Sequence, residues 1–188
     1  MKIKCFDTTE LPILDWQDGG GASQEVFCWP VASDHSLRAS IATINQNSYL
    51  KRYVEGERLV ILLNEQPLIL TDNKQFTCKL RHIGDSIQFS AQQYCAVNIR
   101  KSPIKLMNFI FRSDRWGAKS YFMTEECKLP ANQAGLVYVL SGQWGVSGAN
   151  CNIMTQGQGG WWLPDIGEGE IKPLCTDSQL IWIELLPR

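Results

Sequence analysis

Arginines stand where a β-rich chain would be expected to place apolar side chains: Arg38 within "LRASIATI", Arg58 at the head of "RLVILL" and Arg112 at the end of "KLMNFIFR". A guanidinium is charged at any physiological pH and offers its donors in a planar fork that fits a carboxylate, so such residues point to capture of a small anion. Period-2 alternation sets Arg38, Ser40 and Ala42 on one face of the first strand, and Asn108, Ile110 and Arg112 on one face of the last. On an ordinary antiparallel sheet those polar faces meet water; in a small barrel they line the mouth and gather on a ligand. Upstream, "WQDGGGASQE" places Gly19, Gly20 and Gly21 between Asp18 and Glu25. Consecutive glycines cost conformational entropy unless the backbone must approach something closely, and a loop without side chains lets its amides reach an anion directly. Asp18 and Glu25 supply the negative charge that arginines inside a barrel need for pairing.

Other chemistries lack their parts. A histidine-based metal site needs two or three histidines and a carboxylate, whereas the chain has 2 histidines, His35 and His82, and no H-x-H pair. Neither a metal nor a cofactor is therefore expected. The same scarcity argues against Ser-His-Asp and Cys-His nucleophiles, and "GGGAS" is neither a nucleophile elbow nor a phosphate loop. The 7 cysteines, Cys5, Cys28, Cys78, Cys95, Cys127, Cys151 and Cys175, are scattered without a C-x-x-C pair, which predicts buried free thiols in a reducing compartment. With 18 Lys+Arg against 19 Asp+Glu the net charge is -1 and no basic run occurs, so nucleic acid and anionic membranes are not expected partners. No stretch approaches the roughly 20 apolar residues of a membrane span. "MKIKCFDTTELPILDW" has no apolar signal region, and a cytoplasmic location is expected.

The elements that must carry these residues read as strands. Short runs rich in Val, Ile, Leu and aromatics recur between Gly, Pro, Asn and Asp, the pattern of an antiparallel sandwich or barrel. Only "TINQNSYLKRYVEGE" suggests a short helical turn. The chain also repeats itself: "RLVILLNEQPLIL" parallels "GLVYVLSGQWGV", "IGDSIQFSA" parallels "GQGGWWLPD", and "KLMNFIF" parallels "QLIWIEL". Strand, tight turn, strand and a Gly-led step into another strand is the rhythm of a cupin half, so the fold class is all-β, a bicupin of two jelly-roll barrels. The division falls at 1–115 and 116–188, with strands free to exchange between the halves.

These motifs resemble the HutD/Ves family of bacterial bicupins. "LDWQDGGGASQEV" is similar to the family's W-x-N-G-G-G-x-T-R-E segment, "LRASIATI" to its W-R-x-S-I-A-x-V strand, "SYLKRYVEGERLVILLNEQ" to F-S-x-F-P-G-x-D-R-x-x-x-L-L-x-G, and "LMNFIFR" to D-F-N-x-M-x-R. "GLVYVLSGQW" and "GGWWLPD" lie closer to the stress-induced Ves branch. Gly19, Gly20, Gly21, Glu25, Arg38, Ser40, Arg58, Asn108 and Arg112 keep the pattern, and the resemblance implies that they form a ligand site. Asp18 replaces an Asn, Gln24 an Arg, Leu37 a Trp, "YVEGER" the "FPGxDR" and Leu106 an Asp, which leaves the ligand's identity open. The resemblance implies a small carboxylated metabolite linked to histidine utilisation, such as urocanate or a formyl-type intermediate, and on the Ves side a stress response.

Three functional readings follow. The first is a non-enzymatic bicupin that binds a small carboxylate through Arg38, Arg58 or Arg112 and plays a regulatory or stress-related role. The second is a metal-independent hydrolase or isomerase with Glu25 as general acid/base and an arginine stabilising developing charge. The third is an interaction module, self-association into a homodimer included, with Trp144, Trp161 and Trp162 as contact candidates. Since adjacent Trp161 and Trp162 point to opposite faces of a strand, at least one of them belongs to the core.

Overall fold

The computed structural model describes residues 1–72, 76–147 and 152–188. The chain opens on β1 (Lys4–Asp7) and a single 3-10 turn at Thr8–Glu10. It then runs through β2 (Leu14–Asp15), β3 (Gly21–Val31), β4 (Asp34–Ile44), β5 (Ser48–Leu50), β6 (Glu57–Leu62), β7 (Leu68–Thr71), β8 (Thr77–Leu80), β9 (Ser86–Ser90), β10 (Cys95–Ile99) and β11 (Ile104–Phe111). The rest is β12 (Trp116–Met123), β13 (Cys127–Leu129), β14 (Ala134–Ser141), β15 (Gln143–Val146), β16 (Ile153–Thr155), β17 (Gln158–Trp162), β18 (Gly169–Pro173) and β19 (Gln179–Pro187). The helical turn expected within "TINQNSYLKRYVEGE" is absent: Ile44 ends β4, Ser48–Leu50 form β5, and irregular chain leads to β6. Cross-strand pairing of β5 with β10 overrides whatever local helical preference the segment has.

The strands form two compact units. Pro12–Arg115 make the N-terminal barrel, a six-stranded sheet in the order β2-β3-β4-β11-β6-β9 and a four-stranded sheet in the order β5-β10-β7-β8. Its core lies between the two sheets, where Val60, Leu62 and Leu106 meet Leu68, Leu70 and Val97, all fully buried. Burying each such side chain contributes about 1.5–3 kcal/mol.

The C-terminal barrel contains Trp116–Arg188 together with Met1–Leu11. Its sheets run β1-β17-β14-β19-β12 and β13-β18-β15-β16. The first residues thus depart from a simple division at residue 115, because β1 pairs antiparallel along β17, Lys4 facing Trp161 and Asp7 facing Gln158. The Thr8 amide and hydroxyl both donate to the Gly157 carbonyl at the end of that pairing. Trp144 and Trp162 are core here, 0% and 2% exposed, while Trp161 lies half-buried under the Lys4 ammonium.

The cysteines differ from the expectation of free thiols throughout. Cys5 is disulfide-bonded, whereas Cys28, Cys78, Cys95, Cys127 and Cys175 are free. Of the free thiols Cys95 is buried and Cys175 exposed. Cys151 lies outside the described residues.

Candidate functional site

In the N-terminal barrel the usual alternation is inverted. Leu37, Ala39 and Ile41 of β4 are buried on the outer face of the sheet, so the face that carries Arg38, Ser40 and Ala42 is turned into the barrel. The same holds for β11, where Phe109 is buried outside and Asn108 faces in. Register locks this arrangement: Asn108 pairs with Ser40 on one side and with Val60 on the other, and a slip of one residue would turn every one of these side chains to the opposite face. The polar face encloses a cavity of about 560 Å³.

Arg58 is its deepest charged group, 1% exposed. Gly56, at φ +98, turns the chain into β6, and a side chain at that position would collide with the Phe111 carbonyl 2.8 Å away. Two residues later β6 passes between β11 and β9 and carries the guanidinium inside. There Nη1 donates to Asn108 Oδ1 at 2.9 Å and Nη2 to the Lys51 carbonyl. The Tyr53 and Phe89 rings lie 5.6 and 5.9 Å from the guanidinium carbon. Among the described residues no carboxylate pairs with Arg58, and its Nε–H is buried without an acceptor. Burial pulls its pKa from the ordinary guanidinium range down to about 10, with the nearby Tyr53 and Cys95 partly offsetting the effect. A buried cation with neither counter-charge nor a full set of acceptors is unfavourable by itself, and an anion in the cavity would supply the counter-charge.

Nearer the mouth, Glu25 and Arg38 meet across β3 and β4, Oε2 to Nη2 at 2.5 Å, with side chains 35% and 24% exposed. A bulge at Glu25/Phe27 re-aims this stretch of β3. Solvent screening keeps such a pair to at most about 1 kcal/mol, so its importance is in charge balance: Glu25 answers Arg38 and leaves Arg58 unanswered.

The glycines line neither this cavity nor its neighbour. Gly19 has φ +70 and closes the turn between β2 and β3, where its amide donates to the Trp16 carbonyl and the Gly20 amide to Asp18 Oδ1. A Cβ at Gly20 would lie 2.5 Å from that of Ser48, and one at Gly21 would lie 2.6 Å from the Thr43 carbonyl. Gly19 thus serves the turn, Gly20 the close approach of the Ser48 side chain and Gly21 that of the Thr43 backbone. Asp18 is held by the Ser48 hydroxyl as well as the Gly20 amide, which lowers its pKa, and Trp16 Nε1 donates to Ser23 Oγ at 2.7 Å. These bonds pin the segment from Leu14 to Asp18 along the cavity wall.

Arg112 is elsewhere. It lines an adjoining concavity of about 300 Å³ with His35, Arg52 and Val54, and is tied to Glu55 and, through Nε and Nη2, to Asp114 at 3.2 and 3.3 Å. Those carboxylates raise its pKa, the Asp114 bond foremost. Glu25, Arg38, Ser40, Arg58 and Asn108 are accordingly brought together, with Arg112 and the glycines outside. Lys51 and Tyr53, which line both concavities, carry no motif of their own in the sequence; the signal for them is a tyrosine flanked by basic residues in "LKRY" immediately before the strand bearing Arg58.

The internal repeat shows what the other barrel has lost. Arg58 on β6 pairs with Phe89 and Ile110; the corresponding Gly135 on β14 pairs with Trp162 and Glu184. Carried along β11 and β19, the same correspondence sets Asn108 against Trp182. The Trp162 indole lies so close over Gly135 that a Cβ there would be 2.3 Å from its ring. Arginine and asparagine are thus replaced by glycine and indoles, and apolar rings fill the C-terminal core.

Two jelly-roll barrels, one lined by an uncompensated arginine and the other filled by tryptophans, define a bicupin with its polar cavity in the N-terminal half. The HutD family model matches residues 8–167, and the chain belongs to the HutD family. It is 28% identical over 184 residues to protein Ves of Cronobacter sakazakii, covering 97% of this chain and 98% of the relative, and 26% identical over 185 residues to protein Ves of Escherichia fergusonii, covering 97% and 94%. In fold it is similar to HutD from Pseudomonas fluorescens, solved in a formate condition, with a TM-score of 0.83 at 17% identity over 99% of both chains. It is also similar to the formate complex of Lactobacillus farciminis oxalate decarboxylase, with a TM-score of 0.66 at 10% identity over 96% of this chain and 85% of the other.

Proposed function

We propose that this chain is a non-enzymatic binding protein for a small carboxylate, held in the N-terminal barrel with Arg58 as its anchor. One observation carries the reading: a guanidinium 1% exposed, lining a cavity, with no carboxylate partner among the described residues and an unused Nε–H. A carboxylate there supplies the missing charge, and charge-assisted bonds to a guanidinium are about twice as strong as neutral ones. Leu14, Trp16 and Tyr53 give the ligand's carbon skeleton an apolar surface, and Ser40 gives it a hydroxyl. Support by analogy comes from formate, named for both the HutD and the oxalate decarboxylase structures. The role proposed for this binding is a regulatory or stress-linked one, as the resemblance to the Ves branch implies.

Calorimetry and thermal shift with formate, acetate and urocanate test the proposal. A ligand at about 100 times its Kd raises native stability by about 2.7 kcal/mol. If none of the acids shifts the melt at tens of millimolar, the reading fails. Glu25 supports a second reading because it lines the same cavity: as general acid/base it would give turnover of a bound acid, lost in Glu25→Gln with binding retained.

A further inference from the structure

Tyr53 stands at the boundary between the two concavities. It lines both, as do Arg38 and Lys51. Of the groups around its ring, Arg58 lines only the inner cavity and His35 only the outer one. The Arg58 and Arg38 guanidinium carbons each lie 5.6 Å from the ring centre, the Lys51 ammonium 5.8 Å, and the His35 ring meets it edge-on at 5.4 Å. Cations on an aromatic face are attracted by the ring quadrupole, so one half-buried tyrosine holds several like charges around itself. The backbone fixes its position as well, since the Tyr53 amide donates to the Ala91 carbonyl at 2.9 Å.

We infer that Tyr53 is the size-selecting wall of the carboxylate site: its ring closes the chamber of about 560 Å³ beside Arg58 from the outer one of about 300 Å³. The inference rests on the reading that Arg58 anchors a carboxylate. With the ring in place, an acid bound to Arg58 is kept out of the outer chamber. With the ring removed, the chambers join, and a longer acid extends toward Ile110 and Val54, apolar surface that only the outer chamber offers. Tyr53 is therefore a specificity residue acting through shape and through its hold on the guanidiniums.

The experiment measures Kd by calorimetry for acetate and hexanoate with the wild type, Tyr53→Phe, Tyr53→Leu and Tyr53→Ala, with thermal melts confirming that each variant is folded. Wild type and Tyr53→Phe should share one acetate-to-hexanoate preference, because both keep the ring. Tyr53→Ala and Tyr53→Leu should shift that preference toward hexanoate by about tenfold or more, the scale on which a pocket discriminates by added methylene groups. A general loss of affinity with an unchanged ratio would show a merely structural residue and overturn the inference, as would failure of both ring-deleted variants to fold. Failure of the wild type to bind either acid would overturn the carboxylate reading together with it, whereas wild-type binding with a ratio indifferent to the ring defeats this inference alone.

Discussion

Replacing Arg58 by methionine should make the ligand-free protein more stable while abolishing its response to carboxylates. Burial lowers the guanidinium's pKa from its ordinary range to about 10. At roughly 1.4 kcal/mol per pKa unit the charged form is disfavoured by about 3 kcal/mol relative to the unfolded chain. Methionine removes that cost with similar volume. Against it stand the Lys51 carbonyl and Asn108 Oδ1, which lose their donors at about 1 kcal/mol each. The balance is a gain of about 1 kcal/mol, or an increase in Tm of about 2–4 °C for a chain of this size.

The sign can be checked through pH. Arg58 is a base whose folded pKa is depressed, so from about pH 10 upward the unfolded state binds more protons and wild-type stability rises with pH. Below about pH 10 the whole cost is present and constant, and in Arg58→Met the alkaline rise attributable to this group disappears. Urea and thermal melts at pH 7, with and without saturating acetate, supply the measurement. The wild type should gain from acetate and the variant should not. A variant destabilised by more than about 2 kcal/mol without ligand would refute the reasoning, because Arg58 would then hold the fold together; so would an acetate shift that survives the substitution.

Gly21→Ala sets a methyl 2.6 Å from the Thr43 backbone oxygen, which cannot move without breaking the β3–β4 ladder, so melts should show a loss of about 1–3 kcal/mol and weakened ligand binding through the displaced wall. Gly135→Ala should cost a similar amount by pushing the Trp162 indole, but leave carboxylate affinity unchanged, since that barrel holds no counterpart of Arg58. For the same reason calorimetry should give one carboxylate per chain. Timed alkylation at pH 8 followed by mass spectrometry should label exposed Cys175 first, its thiol lowered by the Ser178 hydroxyl, and Cys95 and Cys127 last, both pushed by burial up to about 11.

How far the site can be read without coordinates depends on which side of a strand faces the interior. Period-2 alternation groups Arg38 with Ser40 and Asn108 with Ile110 and Arg112 from the letters alone, because side-chain direction along a strand is a local property. Whether such a face meets water or a cavity is decided by what covers the opposite face, and nothing in "LRASIATI" says that Leu37, Ala39 and Ile41 will also be buried. The same local rule fails at Arg112, which lies beyond the end of β11, where alternation no longer sets direction and Glu55 and Asp114 draw the side chain away. A run of glycines signals close approach but not to what; here the partners are Ser48 and the Thr43 carbonyl, both distant in sequence. Tyr53 is hidden for a related reason, since an aromatic in an irregular segment carries no periodicity and acquires meaning only when Arg38, Arg58 and His35, from two strands, gather around one ring. Arg58 shows the limit most sharply: its burial follows from the core strand "RLVILL", but its missing carboxylate is a fact about every neighbouring element at once, and only three-dimensional placement exposes that imbalance.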